Sequence, residues 1–525
     1  MKLFFKKWLA VGISCLLSLS FVACDTGRRS EPGENGYLHI SAVQLGYGVE
    51  WLKEMEKAFE EEMKINVDIS VIVGAAGQAT LDTEIESLAS STDLFFNKRI
   101  AFAEDVYKGS IKVRGESFDC LYADLTDVWE SVVDENTELT IQNKMDPLYA
   151  EAFNIEGKYY SLPWAGGVYG IVRNLDVWND LNLTDDDVPY TTDELFALCD
   201  RIKGEVAPFI YSLDDEYYTG WSPIFFGQYE GVDNVKQFME GKDPDGNVSQ
   251  YVYTYDGQLE AMKVIEELID PDNGYQHSRS SSLDFTSMQG QFLRGQALFC
   301  INGSWLENEM KANFSSVTID VIKTPVISSL VNKLSFGKTL SAAAADEKLV
   351  ECIQYVDAVD AGETPAMPSG VTEDDIRKVT EARHYSYMAG GIDHQAYVPS
   401  YSQHIREAKE FLKFMYSDKG MQIYYETLTG AMLPATPVQP YDNTGMEPFS
   451  EFRTSINEAT EEGFLYDREP KARYYVLPSI STCFENGVDP IVALRSGQTA
   501  RDVINANSAD IAKRWPGIQE LLGLV

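Results

Sequence analysis

An early alternation of strand-like and helix-like segments restricts the fold of this chain more than any other feature. From Ile65 to Val73, apolar residues alternate with polar ones almost without exception, which predicts a strand with one buried face. In order, the predicted elements are a strand at Leu38–Val43, a helix at Glu50–Lys64, a strand at Ile65–Val73, a helix marked by Leu81, Ile85 and Leu88, and a strand at Asp93–Phe96. This order is typical of α/β domains with a parallel sheet, so we predict the α/β class.

The rest of the chain continues the mixture of strands and helices. Predicted elements are a hairpin at Glu156–Pro163, a strand at Val168–Val172, a helix from a Thr191/Glu194 capping box to about Lys203, helices at Gly257–Ile269 and Met288–Arg294, a buried strand at Ala297–Ile301 and a helix at Trp305–Ala312. Helices dominate from about Ile405 to the end. The stretch Ala342–Tyr387 has little α/β signal, and we interpret it as an insertion.

Size and charge exclude several classes of protein. A chain of 525 residues predicts about three domains or two large ones. With 44% hydrophobic and 24% charged residues, it is neither disordered nor a multi-span membrane protein. The 43 basic and 82 acidic residues give a formal charge of −39, which disfavours nucleic acid as a partner. The same charge disfavours acidic ligands unless a local basic pocket binds them.

The N-terminus predicts export. Three lysines precede the apolar run Trp8–Val22, which spans about 22 Å as a helix and falls short of the roughly 30 Å hydrocarbon core. We therefore predict a signal peptide at residues 1–23. Ala23 followed by Cys24 resembles the lipobox of bacterial lipoproteins, in which the cysteine is acylated and becomes the mature N-terminus. Residues 24–36 would then be a flexible, lipid-anchored tether.

This interpretation predicts a protein that is lipid-anchored on the extracytoplasmic face of the cell membrane, with no other membrane contact. The alternative is an ordinary cleaved signal peptide followed by an incidental Cys24. The sequence leaves open whether the host has one membrane or two.

Residue types that carry catalysis or bind metals do not cluster. The five later cysteines, which are Cys120, Cys199, Cys300, Cys352 and Cys483, are scattered singly. They indicate neither a metal site nor a disulfide framework, although one bridge remains open. The sequence lacks the metalloprotease, serine-hydrolase, Walker A and dinucleotide motifs, so we expect no cofactor and no enzyme activity.

Three segments together resemble the extracellular solute-binding proteins of sugar ABC transporters. The run Gly157–Asn174 is similar to the family pattern Gly-Lys-x-Tyr-x-hydrophobic-Pro followed by Tyr-x-hydrophobic-hydrophobic-x-Asn. The run Phe292–Trp305 resembles Phe-x-x-Gly-x-Ala-x-Met-x-x-x-Gly-x-Trp, with Phe299 in place of the methionine. The helix Ala408–Phe414 and a Gly-x-x-x-Pro turn from Gly430 resemble the family's late helix and turn.

The resemblance implies a two-lobed, maltose-binding-protein-like fold of the type II periplasmic-binding-protein class. Ligand would bind in the cleft between the lobes, and several chain crossovers would form the hinge. We predict lobe 1 at 37–163 and 326–413, and lobe 2 at 164–325 and 414–525. The expected crossings are near Pro163, near Thr324-Pro325 and near Phe414.

The implied function is the substrate-binding component of a sugar importer. It would be a monomer that captures an extracellular carbohydrate, expected to be an oligosaccharide, by aromatic stacking and hinge closure, and delivers it to the permease subunits. Two alternatives remain, which are a lipid-anchored glycoside hydrolase and a cell-surface glycan-binding lipoprotein outside transport. A hydrolase needs two carboxylates about 5–10 Å apart, and an acidic chain offers such pairs by chance. An all-helical glycan-binding body conflicts with the alternation at Ile65–Val73.

Candidate ligand contacts are aromatic plates and polar groups at strand ends, because a pyranose has an apolar face and a rim of hydroxyls. The strongest candidate is Trp305, which follows the buried strand Ala297–Ile301 at the end where α/β sheets bind ligands. Its alternative is a core position at a helix start. The other aromatic candidates are Tyr217, Tyr218, Trp221, Trp164 and Phe484, and the polar candidates are Gln44, Tyr47, Asn97 and Arg99. Trp164, at the first crossing, could either face the cleft or wedge the hinge.

Overall fold

The computed structural model describes most of the chain. The described residues are 34–44, 46, 48–73, 75–97, 110–134, 138–145, 147–165, 167–212, 217–314, 316–390, 394–427, 455, 490–521 and 524–525. Within these residues, no helix is both long enough and apolar enough to cross a membrane.

Four of the described strands have seven to nine residues, and the others have two to four. They are β1 (Gly36–Gln44), β2 (Ile65–Val73), β3 (Leu94–Asn97), β4 (Ile111–Val113), β5 (Glu116–Phe118), β6 (Val132–Asp134), β7 (Leu139–Thr140), β8 (Asn154–Ile155), β9 (Lys158–Tyr159), β10 (Leu162–Pro163), β11 (Gly167–Asn174), β12 (Ala207–Ile210), β13 (Ala297–Gly303), β14 (Ile319–Ile322), β15 (Met388–Gly390) and β16 (Gln395–Tyr397).

The helices lie between and after these strands. They are α1 (Glu50–Met63), α2 (Ala75–Glu86), α3 (Thr126–Trp129), α4 (Ile141–Lys144), α5 (Pro147–Ala152), α6 (Leu175–Asp180), α7 (Thr192–Ile202), α8 (Tyr217–Glu230), α9 (Val232–Met239), α10 (Asp256–Ile269), α11 (Phe285–Leu293), α12 (Leu306–Phe314), α13 (Ala342–Asp360), α14 (Glu373–His384), α15 (Ile405–Met415), α16 (Asp418–Thr427), α17 (Pro490–Arg495) and α18 (Ala500–Leu521). Short 3-10 helices occur at Asp185–Asp187, Val252–Thr254, Ser280–Ser282, Ser328–Lys333 and Phe336–Lys338.

The first sheet has the strand order β10-β16-β3-β1-β2 and confirms the predicted parallel α/β layer. Strand β1 runs parallel to β2 from Gly36 opposite Ile65 to Gln44 opposite Val73, and it is also parallel to β3. Helix α1 connects β1 to β2 and packs its apolar stripe of Leu52, Met55 and Phe59 against the sheet side of the core. The helical spacing of these three residues therefore identified their buried face correctly.

The second sheet has the order β12-β13-β11-β14, with β15 paired to β11. Strands β12 and β13 are parallel, whereas β11 is antiparallel to β13 and β14. All seven residues of β13 are buried, as expected for a central strand covered on both faces. Helices α8 and α10 contribute to one face, and α11 and α12 cover the other.

Two sets of buried residues divide the molecule into lobes, with one sheet in each. The first lobe packs around β1, β2 and β3, and the second packs around β11, β12 and β13. The chain changes sheet between β10 and β11 and again between β15 and β16. These passages run side by side, because β10 pairs with β16 and the start of β11 pairs with β15, both antiparallel. The crossing predicted near Pro163 lies in this pair, which is suited to act as a hinge.

The packing divides the chain differently from the predicted lobe boundaries in two places. Residues 326–382, predicted for lobe 1, pack with the second core through residues such as Val326, Leu349 and Val379. The stretch Ala342–Tyr387 is therefore no peripheral insertion, because α13 and α14 bury apolar residues there. Conversely, Phe414 and Tyr424 pack with the first core, so no crossing occurs at Phe414.

Candidate ligand-binding cleft

The Trp305 indole lies against Gly303 at the carboxyl end of β13. If Gly303 carried a side chain, its Cβ would lie 2.4 Å from the Cη2 and Cζ3 atoms of Trp305. The ring therefore occupies space that only glycine leaves free, which is the physical reason for the Gly-x-Trp spacing. Trp305 is partly buried, unlike the fully covered residues that precede it.

The first lobe contacts the second lobe at this same point. A Cβ at Gly46, just after β1, would lie 3.3 Å from the Cβ and Cδ1 atoms of Trp305. Asn308 on α12 donates a hydrogen bond from Nδ2 to the carbonyl oxygen of Gly46 at 2.8 Å. The loop after β1 and the carboxyl end of β13 therefore meet, and this junction of the lobes is the candidate site.

Buried polar atoms border the second-lobe side of the cleft. Gln289 donates from Nε2 to Glu309 Oε2 at 2.8 Å, and Glu309 Oε2 lies 3.4 Å from the Cβ position of Gly46. Gln289 Oε1, Asn302 Nδ2 and Ser304 Oγ have no hydrogen-bond partner within the described structure, although all three side chains are fully buried. Buried polar groups are normally paired, so these three atoms are exceptions, and because protein covers all three side chains the structure does not bring them to the cleft surface.

On the first-lobe side, the predicted polar contacts differ in burial and in their hydrogen bonds within the protein. Gln44 is the last residue of β1 and is half-buried. Asn97 is fully buried at the end of β3, where its Nδ2 donates to Asp82 Oδ1 and to the Tyr397 hydroxyl, both at 3.1 Å. These bonds fix the amide within the protein. Tyr47 and Arg99 lie outside the described residues.

Trp164 is buried at the hinge. Its ring stacks on Trp51 with the centroids 5.9 Å apart and meets His394 edge-on at 4.7 Å. Its Nε1 donates to the carbonyl oxygen of Asn97 at 2.9 Å. The ring is therefore covered by the first-lobe core, and a wedge role at the hinge stays a prediction.

The aromatic group on α8 lies in the core of the second lobe. Trp221 is fully buried and donates from Nε1 to Thr324 Oγ1 at 3.1 Å. The Tyr218 hydroxyl accepts a hydrogen bond from Gln276 Nε2 at 3.2 Å, and burial raises the pKa of Tyr218 well above its usual value. Both rings are covered by protein, so the structure does not bring them to the cleft. The Tyr217 side chain, Phe484 and Cys24 lie outside the described residues.

Several groups at the cleft were not among the sequence candidates. Asn308, Glu309 and Gln289 lie on helices that the sequence predicts, but polar residues on an amphipathic helix usually face solvent and give no further signal. Within the described ranges, no group of three His, Cys, Asp or Glu side chains is placed to hold a metal ion.

Two α/β lobes that meet at a partly buried aromatic ring are an arrangement typical of small-molecule-binding proteins. The sequence profile described as bacterial extracellular solute-binding protein matches residues 41–422, which is most of the chain. The chain therefore belongs to the bacterial extracellular solute-binding protein family, as the motifs predicted.

One curated relative and several solved structures support this assignment. The multiple sugar-binding protein of Streptococcus mutans is 22% identical over 311 residues, which are 59% of this chain and 59% of that protein. An ABC transporter solute-binding protein from Thermotoga lettingae bound to α-D-tagatose has a TM-score of 0.58 at 15% identity, covering 91% of this chain and 99% of the other. The Listeria monocytogenes protein Lmo0181, in complex with cycloalternan, has a TM-score of 0.55 at 14% identity, covering 91% and 98%. These similarities confirm the predicted two-lobed α/β fold.

Proposed function

We propose that this protein is the substrate-binding component of a sugar ABC importer. It captures an extracellular oligosaccharide in the cleft by aromatic stacking, closes about the hinge and delivers the sugar to permease subunits. It acts as a monomer and carries out no chemistry on its ligand. Family membership supports solute binding, and the sugars and names of the relatives support carbohydrate as the solute.

The observation that carries this proposal is the position of Trp305. The indole is partly exposed at the carboxyl end of a central strand, next to Gly46 of the first lobe and near the partly buried side chains of Asn308 and Glu309. A flat apolar ring next to hydrogen-bonding groups matches the apolar face and hydroxyl rim of a pyranose.

Substitution of Trp305 tests the proposal. A buried aromatic anchor contributes roughly 1–3 kcal/mol to binding, so Trp305→Ala should weaken sugar binding about 5- to 150-fold. Trp305→Phe retains a smaller ring and should lose less affinity. Calorimetric titration with an oligosaccharide panel and thermal melting of each variant provide the measurement. Unchanged affinity with a strongly lowered melting temperature would assign Trp305 to the core instead.

The proposal also includes a lipid on Cys24. Mass spectrometry of the N-terminus of the membrane-extracted protein should find an acylated Cys24 as the first residue. An unmodified N-terminus at any other position would contradict the lipid anchor, and it would leave sugar binding by the folded lobes unaffected.

An assay for hydrolysis of a bound oligosaccharide separates the binding role from the glycoside hydrolase alternative. The purified protein should bind an oligosaccharide without releasing reducing sugar. Detectable hydrolysis by the pure protein would favour the glycoside hydrolase alternative.

A further inference from the structure

Glu309 lies beside Trp305 at the junction of the lobes. It belongs to the first turn of α12, and its backbone N–H donates to the carbonyl oxygen of Trp305 at 3.0 Å. Residues four apart in a helical turn are neighbours on one face. Both side chains also meet the same point of the first lobe, because a Cβ at Gly46 would lie 3.3 Å from Trp305 Cδ1 and 3.4 Å from Glu309 Oε2.

A covered amide holds the Glu309 carboxylate in place. Gln289 on α11 is fully buried, and its Nε2 donates to Glu309 Oε2 at 2.8 Å. Glu309 itself is only partly buried, and the same oxygen faces the first-lobe loop at Gly46. The second lobe therefore orients this carboxylate at the edge of the candidate site through a residue that solvent does not reach.

The pair of an indole ring and a carboxylate matches two parts of a sugar. The ring matches the apolar face of a pyranose, and the hydroxyls at the rim are hydrogen-bond donors. An ionised carboxylate accepts hydrogen bonds and donates none, so it selects donor groups such as hydroxyls. A side chain that is already restrained also loses less freedom when a ligand binds, which favours the oriented Glu309 as a contact.

We propose that Glu309, oriented by Gln289, accepts hydrogen bonds from hydroxyls of a sugar that stacks on Trp305. This inference rests on the proposed sugar-binding function, and it names the substrate class as neutral sugars rather than uronic acids. A uronic acid at this position would bring a second carboxylate towards Glu309, and like charges placed together at a binding site disfavour the wrong ligand. Gln289 is a positioning residue in this arrangement.

The competing role for Glu309 is a contact between the lobes only. Its neighbour Asn308 already bonds to Gly46 across the junction. A residue that acts only on closure changes the population of the closed state, so its loss weakens the binding of every sugar by the same factor. A ligand contact instead weakens the binding of those sugars that present the hydroxyl it accepts.

The test measures affinities of Glu309→Gln by calorimetric titration. This variant keeps the size of the side chain and an acceptor for Gln289 Nε2, so the packing of α11 on α12 should survive. The probes are raffinose, maltotriose and trigalacturonic acid, followed by the monodeoxy derivatives of the neutral probe that binds. Loss of a charged acceptor should weaken binding of the parent sugar about tenfold. For the derivative that lacks the contacting hydroxyl, the same substitution should change the affinity less than twofold, because both changes remove one contact.

Three further variants serve as comparisons. Glu347→Gln removes the same charge from an exposed position of α13 and should change no affinity by more than twofold. Asn308→Ala should weaken the parent sugar and all derivatives by one common factor. Gln289→Met, which removes the orienting donor, should reproduce part of the hydroxyl-dependent loss and add little to Glu309→Gln. Thermal melting of each variant reports its stability separately.

The outcomes distinguish this inference from the proposed function. If Glu309→Gln binds the parent sugar as tightly as wild type, or weakens all derivatives by one factor, Glu309 is no ligand contact and the sugar-binding function stands. Tighter binding of trigalacturonic acid than of both neutral probes by wild type also overturns the inference alone. If wild type binds no carbohydrate in this or a wider panel, the proposed function fails and the inference fails with it.

Discussion

Single residues decide how the cleft presents its aromatic ring. Trp305 can lie over the end of β13 only because Gly303 has no side chain there. Interiors are packed densely enough that one added methyl group at such a point has no space. A Cβ at Gly46 would make a tight 3.3 Å contact with Trp305, so Gly303 sets the position of the indole ring more strictly than Gly46 does.

Gly303→Ala should displace the indole and weaken sugar binding about 5- to 150-fold, as Trp305→Ala does. The reason is a Cβ that would lie 2.4 Å from two ring atoms. Calorimetric titration of both variants and of the double variant provides the measurement. The double variant should lose little more affinity than either single one, because both changes remove the same contact.

Gly204→Ala serves as the control, because a Cβ there would meet no atom within 4 Å. Full affinity in Gly303→Ala would mean that the ring position is unimportant for binding. Additive losses in the double variant would mean that Gly303 acts on the ligand by some other route.

At the scale of elements, the carboxylate of Asp375 joins the first turn of α14 to neighbouring parts of the second lobe. Asp375 accepts hydrogen bonds from Thr372 in a capping box and from the backbone N–H and hydroxyl of Ser335, at 2.7 and 2.5 Å. Burial by itself raises the pKa of Asp375, but the hydrogen bonds from Ser335 and Thr372 outweigh it and lower the pKa to about 2. The ionised form therefore stabilises the contact of the first turn of α14 with Thr372 and with Ser335.

Asp375→Asn should lower the free energy of unfolding at pH 7 by about 2 kcal/mol, from the size of the pKa shift. A carboxyl whose folded pKa is depressed stabilises the fold above its unfolded pKa, near 3.9, and this contribution is lost as pH falls towards 2. Denaturant unfolding of both proteins between pH 7 and pH 2 should therefore find a difference that shrinks below pH 4.

Asp374→Asn is the neighbouring control, since Asp374 is solvent-exposed and pairs only with other surface side chains. Surface pairs contribute little, so this variant should unfold much as the wild type does. A constant difference between Asp375→Asn and wild type down to pH 2 would contradict the role of the ionised carboxylate.

At the scale of the whole molecule, the two lobes touch across the cleft through a side chain that need not contact ligand. The bond from Asn308 to Gly46 joins α12 of the second lobe to the loop after β1 of the first. A contact that exists only when the lobes are together shifts the population towards the closed state. In the proposed function, the paired strands β10 and β16 and the paired strands β11 and β15 flank the hinge.

Asn308→Ala should therefore weaken sugar binding about fivefold, since a hydrogen bond contributes roughly 1 kcal/mol. Small-angle scattering at subsaturating sugar should give a larger radius of gyration for the variant than for wild type. Asn313→Ala, on an exposed part of the same helix, should leave both measurements unchanged. Equal affinity and equal compaction in Asn308→Ala would mean that this contact does not contribute to closure.

Local pattern in the sequence determined the elements and the class of fold. The period-two run at Ile65–Val73 predicted the strand β2, and the apolar stripe of α1 predicted its buried face. In β2 only Ile65 and Val67 are buried, and Val73 is exposed. The family motifs led to Trp305 for the same reason, because strand, glycine and ring are adjacent in sequence. Periodicity is a local property, so it can be recognised in the sequence without knowing which element packs against the buried face.

Only the tertiary structure decided which partner each buried face has. Periodicity does not distinguish a ring covered by its own core from one at a cleft, so Trp221 and Trp305 had similar sequence signals and different environments. The tertiary structure also assigned α13 and α14 to the second core, although the sequence around them suggested an insertion. Arg495 meets Tyr211 across 284 residues of chain, and no local pattern records a contact at that separation. Such contacts follow from the relative placement of packed elements, which the whole chain determines together.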